Sequence, residues 1–187
     1  MLIPFYNQII NGNFSEFGRI NFGGFQLAWR ELQLAGIDPF SDFSALTFNG
    51  FPQDDIVHAV RNGELDAGTV RTDTLERMAG EGQLALEEFR ILNARTSEGF
   101  PFAHSTRLYP EWAFAKARQT PDPLAKAVAV ALLRMPADHP AAQTGQYAGW
   151  TVPLSYRPVH DLFMELAIGP YRDGKVSPQQ VIRQYWH

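Results

Sequence analysis

Three apolar, β-rich runs alternate with two helical patterns over residues 43–94, and this order constrains the fold more than any other feature of the chain. "FSALTFNG" (43–50) reads as a strand ending at Gly50, "LDAGTV" (65–70) as a second and "FRILNA" (89–94) as a third. Between the first two, "PQDDIVHAVRNG" places Ile56, Val57 and Val60 on one side of a helix closed by Gly63. Between the second and third, Asp73 stands three residues before Glu76, a capping-box-like start for "TLERMAGEG". Strands linked by short helical crossovers imply a parallel sheet. The scarcity of polar atoms in "LDAGTV" fits a strand covered on both faces. The expected class is therefore α/β, a parallel or mixed sheet with flanking helices.

A further helix is expected upstream, in "FGGFQLAWRELQLAGI", where Phe25, Leu27, Ala28, Leu32 and Leu34 share a broad apolar face and Gly36 fits the stop. Beyond residue 95, "RTSEGFPFAHSTRLYPEW" reads as an irregular return segment or extended crossing. Three helices opening with proline are expected after it, at Pro110 to about Arg118, Pro121 to about Arg134, and Pro158 to about Leu166. Ser177, Pro178 and Gln180 mark a last one.

Composition removes several function classes. The 187 residues are 45% apolar and 19% charged, globular values that argue against disorder and fibres. A net charge of -4 with scattered basic residues is a poor nucleic-acid footprint. With no Cys there is neither disulfide nor thiolate metal site. His58, His139, His160 and His187 are isolated and do not pair at metal-ligand spacing, so no metal and no cofactor is expected. No run reaches the 18 to 20 or so apolar residues of a membrane span. The opening "MLIPFYNQIINGNF" lacks a basic n-region and makes a poor signal peptide.

The succession "FGGFQLAWRELQLAGIDPF", "GFPQDDIVHAVRNGELDAGTVRTDTLERM", "FRILNA…EGFPFAHSTRLYPEW" and "YAGWTVPLSYRPVHDLFMELAIGPY" resembles the phosphonate-binding-protein family of periplasmic type II binding folds. More closely, it resembles the extracytoplasmic sensor domains of tetrathionate-sensor-type histidine kinases. The resemblance implies two α/β lobes clamping a ligand. It covers the second lobe (18–108) and a return segment with C-terminal helices (109–187), leaves residues 1–17 unmatched, and implies a first lobe before Gly18. A fragment of this kind is expected to be periplasmic or otherwise extracytoplasmic and not an enzyme. Its expected partners are a small anionic solute and a first lobe, kinase module or transporter permease. Helices lacking their lobe would leave apolar faces that drive self-association.

Candidate contacts follow from strand ends that meet helix starts, where small ligands sit in open α/β sheets. In "NFGGFQ", Gly23 and Gly24 would let backbone amides approach an anion, with Phe25 and Gln26 alongside; a simple turn explains two glycines equally well. Phe51 in "GFPQDD" repeats the geometry, although Asp54 and Asp55 already suit that helix start. Arg71 could fork onto an oxyanion beside Thr72 and Asp73; the plain alternative is a surface charge and an N-cap. His104 and Ser105 complete the set as a pair on the return segment. No nucleophile elbow accompanies them, which argues against hydrolase chemistry.

Overall fold

A computed structural model of the protein describes residues 22–48, 51–110 and 113–172. They fall into two units, one drawn from Met1–Leu108 and Asp161–His187, the other from Tyr109–His160.

In the first unit the chain enters through a π-helical turn, Phe22–Gln26, and continues as α1, Leu27–Leu34. Gly36, at φ 77°, turns the chain out in the left-handed conformation that glycine adopts without a Cβ clash. Phe25, Phe40 and Phe48 pack edge-to-face, with ring centroids 5.7 and 4.8 Å from Phe25, and Trp29 stands edge-on to Phe40 at 5.0 Å. Helix α2, Asp54–Arg61, has Asp54 and Asp55 in its first turn, where the helix dipole favours negative charge. Helix α3 is Thr74–Gly80. Val57 of α2 meets Leu75 and Met78 of α3 in a core with Val70 and Leu84, flanked by Ile56, Ala79 and Phe89. Gly68 makes the approach to α2 possible: a Cβ there would lie 2.5 Å from Ile56 Cγ2.

In this unit the three α-helices α1, α2 and α3 stand as expected, and the assigned strands differ from the expected ones. Among the described residues the sheet is a two-stranded antiparallel hairpin, β1 Arg95–Ser97 and β2 Phe100–His104, and not a parallel one. At the entry to 65–70, Leu65 N–H donates to Ala59 O at the end of α2; just past its exit, Arg71 N–H goes to a side chain; Thr69 is a lone bridge residue. The run 89–94 is broken by the turn at Asn93, φ 50°. Residues 45–48 carry no strand assignment, and Gly50 lies outside the described residues. The segment read as an irregular return is the hairpin itself, closed by Glu98 and Gly99, with Gly99 at φ 73° supplying the turn.

In the second unit, α4 spans Asp122–Leu133 after Pro121, as the prolines predict. Among the described residues of the helix expected from Pro110, 113–117 is irregular, and Lys116 Nζ reaches the Thr120 carbonyl (3.2 Å) and Asp122 (2.6 Å). A short helix α5, Pro140–Thr144, was not anticipated; His139 caps it by accepting the Ala141 N–H at Nδ1, 3.1 Å. Among the described residues of this unit only Ala142 is buried. Helix α6, Arg157–Glu165, starts one residue before its proline, and from Asp161 onward it belongs to the first unit, where Leu162, Leu166 and Tyr171 are buried. The helix expected after Ser177 lies outside the described residues.

Candidate functional site

Two side-chain hydrogen bonds hold three loop tips side by side. The Thr69 hydroxyl donates to the Gly24 carbonyl, tying the π-turn to the end of the 65–70 segment. The Arg71 N–H donates to Gln53 Oε1 at 2.7 Å, tying residues 69–73 to the entrance of α2. Gly23 and Gly24, Phe51, and Arg71 to Asp73 therefore stand on adjoining loops. Phe51 is 82% exposed and Arg71 is exposed, while Thr72 and Asp73 are half-buried. Beneath them Arg77 of α3 bridges Asp54 of α2 and Glu81. The bond to Asp54 is the main reason its guanidinium is held above the usual arginine range.

Asp73 does not cap as its spacing suggests. It sits at φ 83° and its side chain makes no capping hydrogen bond to α3, because N-cap geometry requires an extended residue. Glu76, the other half of the expected box, accepts the Ala103 N–H at 3.1 Å and so joins α3 to the hairpin. A left-handed aspartate at a loop tip is the conformation Asp tolerates better than most residues.

The remaining sequence candidates lie inward. Phe25 is 8% exposed in the aromatic cluster, and Gln26 is buried beside it. His104 and Ser105 are each 2% exposed. The imidazole is satisfied within the hairpin, with Nδ1 3.2 Å from Phe102 O and Nε2 3.0 Å from the Ser97 hydroxyl. Ser105 offers its carbonyl to Asn93 Nδ2 at 2.9 Å.

A charge network unforeseen in the sequence runs behind the π-turn. Arg30 of α1 forks onto Glu165 of α6, with Nη2 to Oε1 at 3.2 Å and Nε to Oε2 as the second arm. The neighbouring Glu31, buried, accepts from Arg95 Nη2 (2.7 Å) and Asn93 Nδ2 (3.3 Å). The Arg30 hydrogen bond holds the Glu165 carboxyl below the ordinary glutamate range, and Arg107 adds a weaker attraction. No spacing signal could have revealed partners 135 residues apart.

Among the described residues, no group of three or more His, Asp or Glu is placed to hold a metal ion, and no helix is long and apolar enough to cross a membrane. A sequence model described as the periplasmic substrate-binding protein of a phosphonate ABC transporter matches residues 17–154. The chain belongs to the phosphonate-binding-protein family. The tetrathionate sensor histidine kinase TtrS of Salmonella typhimurium is 36% identical to this family member over 165 residues, which is 88% of the chain and 25% of the relative. The chain thus spans about a quarter of that kinase's length. No solved structure gives a significant match.

Proposed function

We propose that this chain is the solute-binding portion of an extracytoplasmic sensor that takes a small anion, of the phosphonate-like or sulfur-oxyanion type, and feeds a two-component histidine kinase. The observation that carries the reading is the side-by-side placement of the 22–26, 51–53 and 69–73 loops by the Thr69–Gly24 and Arg71–Gln53 bonds. Backbone amides at Gly23 and Gly24 and the Arg71 fork are donors suited to an oxyanion, and the Phe51 ring offers an apolar wall. Thr72 and Asp73 shape the floor of the site. His104 and Ser105 act behind it, as the buried end of the hairpin, rather than as a catalytic pair. The Ser97–His104 bond supports this non-enzymatic role, since the other imidazole nitrogen is spent on a backbone carbonyl instead of a carboxylate.

The family description favours a second reading, in which the chain is part of the binding component of a phosphate- or phosphonate-type ABC transporter whose occupied form a permease reads. The relationship to a sensor kinase over most of the chain supports the first.

Thermal unfolding recorded during titration with tetrathionate, thiosulfate, sulfate, phosphate and methylphosphonate tests the binding role. A true ligand at 100 times its Kd adds about 2.7 kcal/mol, and Arg71→Ala removes most of that gain. Preference for a sulfur oxyanion supports the sensor, and preference for methylphosphonate the transporter. No shift with any of the five contradicts both.

A further inference from the structure

Loop 22–26 leads directly into α1, so whatever moves the loop moves the helix that carries Arg30 and Glu31. Those two side chains are joined to elements far apart in the chain. Arg30 grips α6 through Glu165 in a two-armed fork, and Glu31 grips the start of the hairpin through Arg95 and Asn93. Asn93 in turn holds the Ser105 carbonyl where the chain leaves β2. Arg30 also lies 3.4 Å from Glu31 through Nη1, so the two grips form one network. The Arg30 and Glu31 side chains are 14% and 6% exposed, while their partners Glu165 and Arg95 are 44% and 41% exposed, so the network is rooted in the interior and reaches solvent at its outer ends.

A planar guanidinium held by both carboxylate oxygens fixes orientation as well as distance, which a lysine cannot do. We infer that the Arg30–Glu165 fork is a positioning couple that makes loop 22–26 and the Asp161–Glu165 part of α6 shift as one body. Its use as a relay of ligand occupancy rests on the binding role proposed above. The mechanical coupling does not.

The test separates the two. Thr69→Val removes the hydroxyl that anchors the Gly24 carbonyl and so loosens the loop without touching α6. Amide hydrogen exchange is then read on peptides covering Asp161–Ile168 in wild type, Thr69→Val, Arg30→Gln and the double variant. The coupling predicts that Thr69→Val speeds exchange there about threefold or more, the scale of a networked pair, and that it adds nothing once Arg30 is Gln. No change in those peptides, or simple addition of the two effects, overturns the inference. If Arg30→Gln compromises folding, Glu165→Gln breaks the fork from the other side, and Arg30→Lys, which keeps the charge without the fork, restores less than half the coupling. A parallel arm adds tetrathionate or phosphate: protection of 22–26 without protection of α6 also counts against the couple. Absence of protection anywhere counts against the binding role, leaving the variant comparison to decide the couple.

Discussion

Arg30 and Glu165, 135 residues apart in the chain, meet as a two-armed ion pair that joins the first described helix to α6. The contact fixes α6 from Asp161 onward against the unit that carries the candidate site. It also has a pH signature.

Because Arg30 lowers the folded-state pKa of Glu165, the pair contributes stability above the unfolded glutamate value of about 4.3, and that contribution is lost as pH falls through the lower folded value. Glu165 is nearly half exposed, so solvent screening limits the effect to about 1 kcal/mol or less. Denaturant midpoints measured from pH 7 to pH 3 should fall less steeply in Glu165→Gln than in wild type. Parallel curves would show that the pair is energetically silent.

Gly68 lies so close to α2 that a methyl group would overlap Ile56 Cγ2. Gly68→Ala is therefore expected to destabilise by about 1–3 kcal/mol, the usual cost of overpacking. An urea melt reads it directly. The companion change Gly68→Ala with Ile56→Leu, which lacks the Cγ2 methyl, relieves the overlap, so part of the loss should return.

These two sites also show where sequence reading succeeds and where it stops. The positions of α1 and α2 followed from apolar spacing and from Gly36 and Gly63, because a helix satisfies its own backbone within a few residues. Strands need a partner elsewhere in the chain, which local spacing does not reveal; the ends of 65–70 bond a helix carbonyl and the Gln53 side chain. The hairpin was legible in principle, since Glu98–Gly99 is a two-residue turn between extended runs, but Pro101 made the second run look irregular. For the candidate site, the Gly23–Gly24 and Arg71–Asp73 loops stood out by their place before helices. Thr69 and Gln53, which bring those loops together, carried no signal. Phe25 was conspicuous as an aromatic and lies in the interior, where aromatics usually belong.

Asp73, at φ 83°, pays a backbone cost that glycine avoids. Asp73→Gly should leave stability within about 1 kcal/mol of wild type, whereas Asp73→Val, β-branched in a left-handed position, should lose about 1–3 kcal/mol. Equal stability of the two variants in chemical denaturation would contradict the conformational reading.

In the second unit α4 exposes Leu124 at 55% and Leu133 at 49%, and Phe114, Val152 and Leu154 are also exposed. Apolar surface of this extent promotes association. The chain is expected to elute as an oligomer in size-exclusion chromatography with light scattering, and Leu124→Lys with Leu133→Gln should shift it toward monomer. A monodisperse monomer from the unaltered chain would refute this.

Loop tips tied by Thr69 and Gln53 should act together on an anion, and amide chemical-shift mapping on the isotopically labelled chain examines that most directly. With tetrathionate, phosphate or methylphosphonate added, saturable shifts are predicted for Gly23, Gly24 and Arg71 to Asp73 with a common Kd, and Arg71→Ala should weaken that Kd at least tenfold, about 1.4 kcal/mol. Non-saturating shifts scattered over basic side chains, with those five amides unmoved by all three anions, would contradict it.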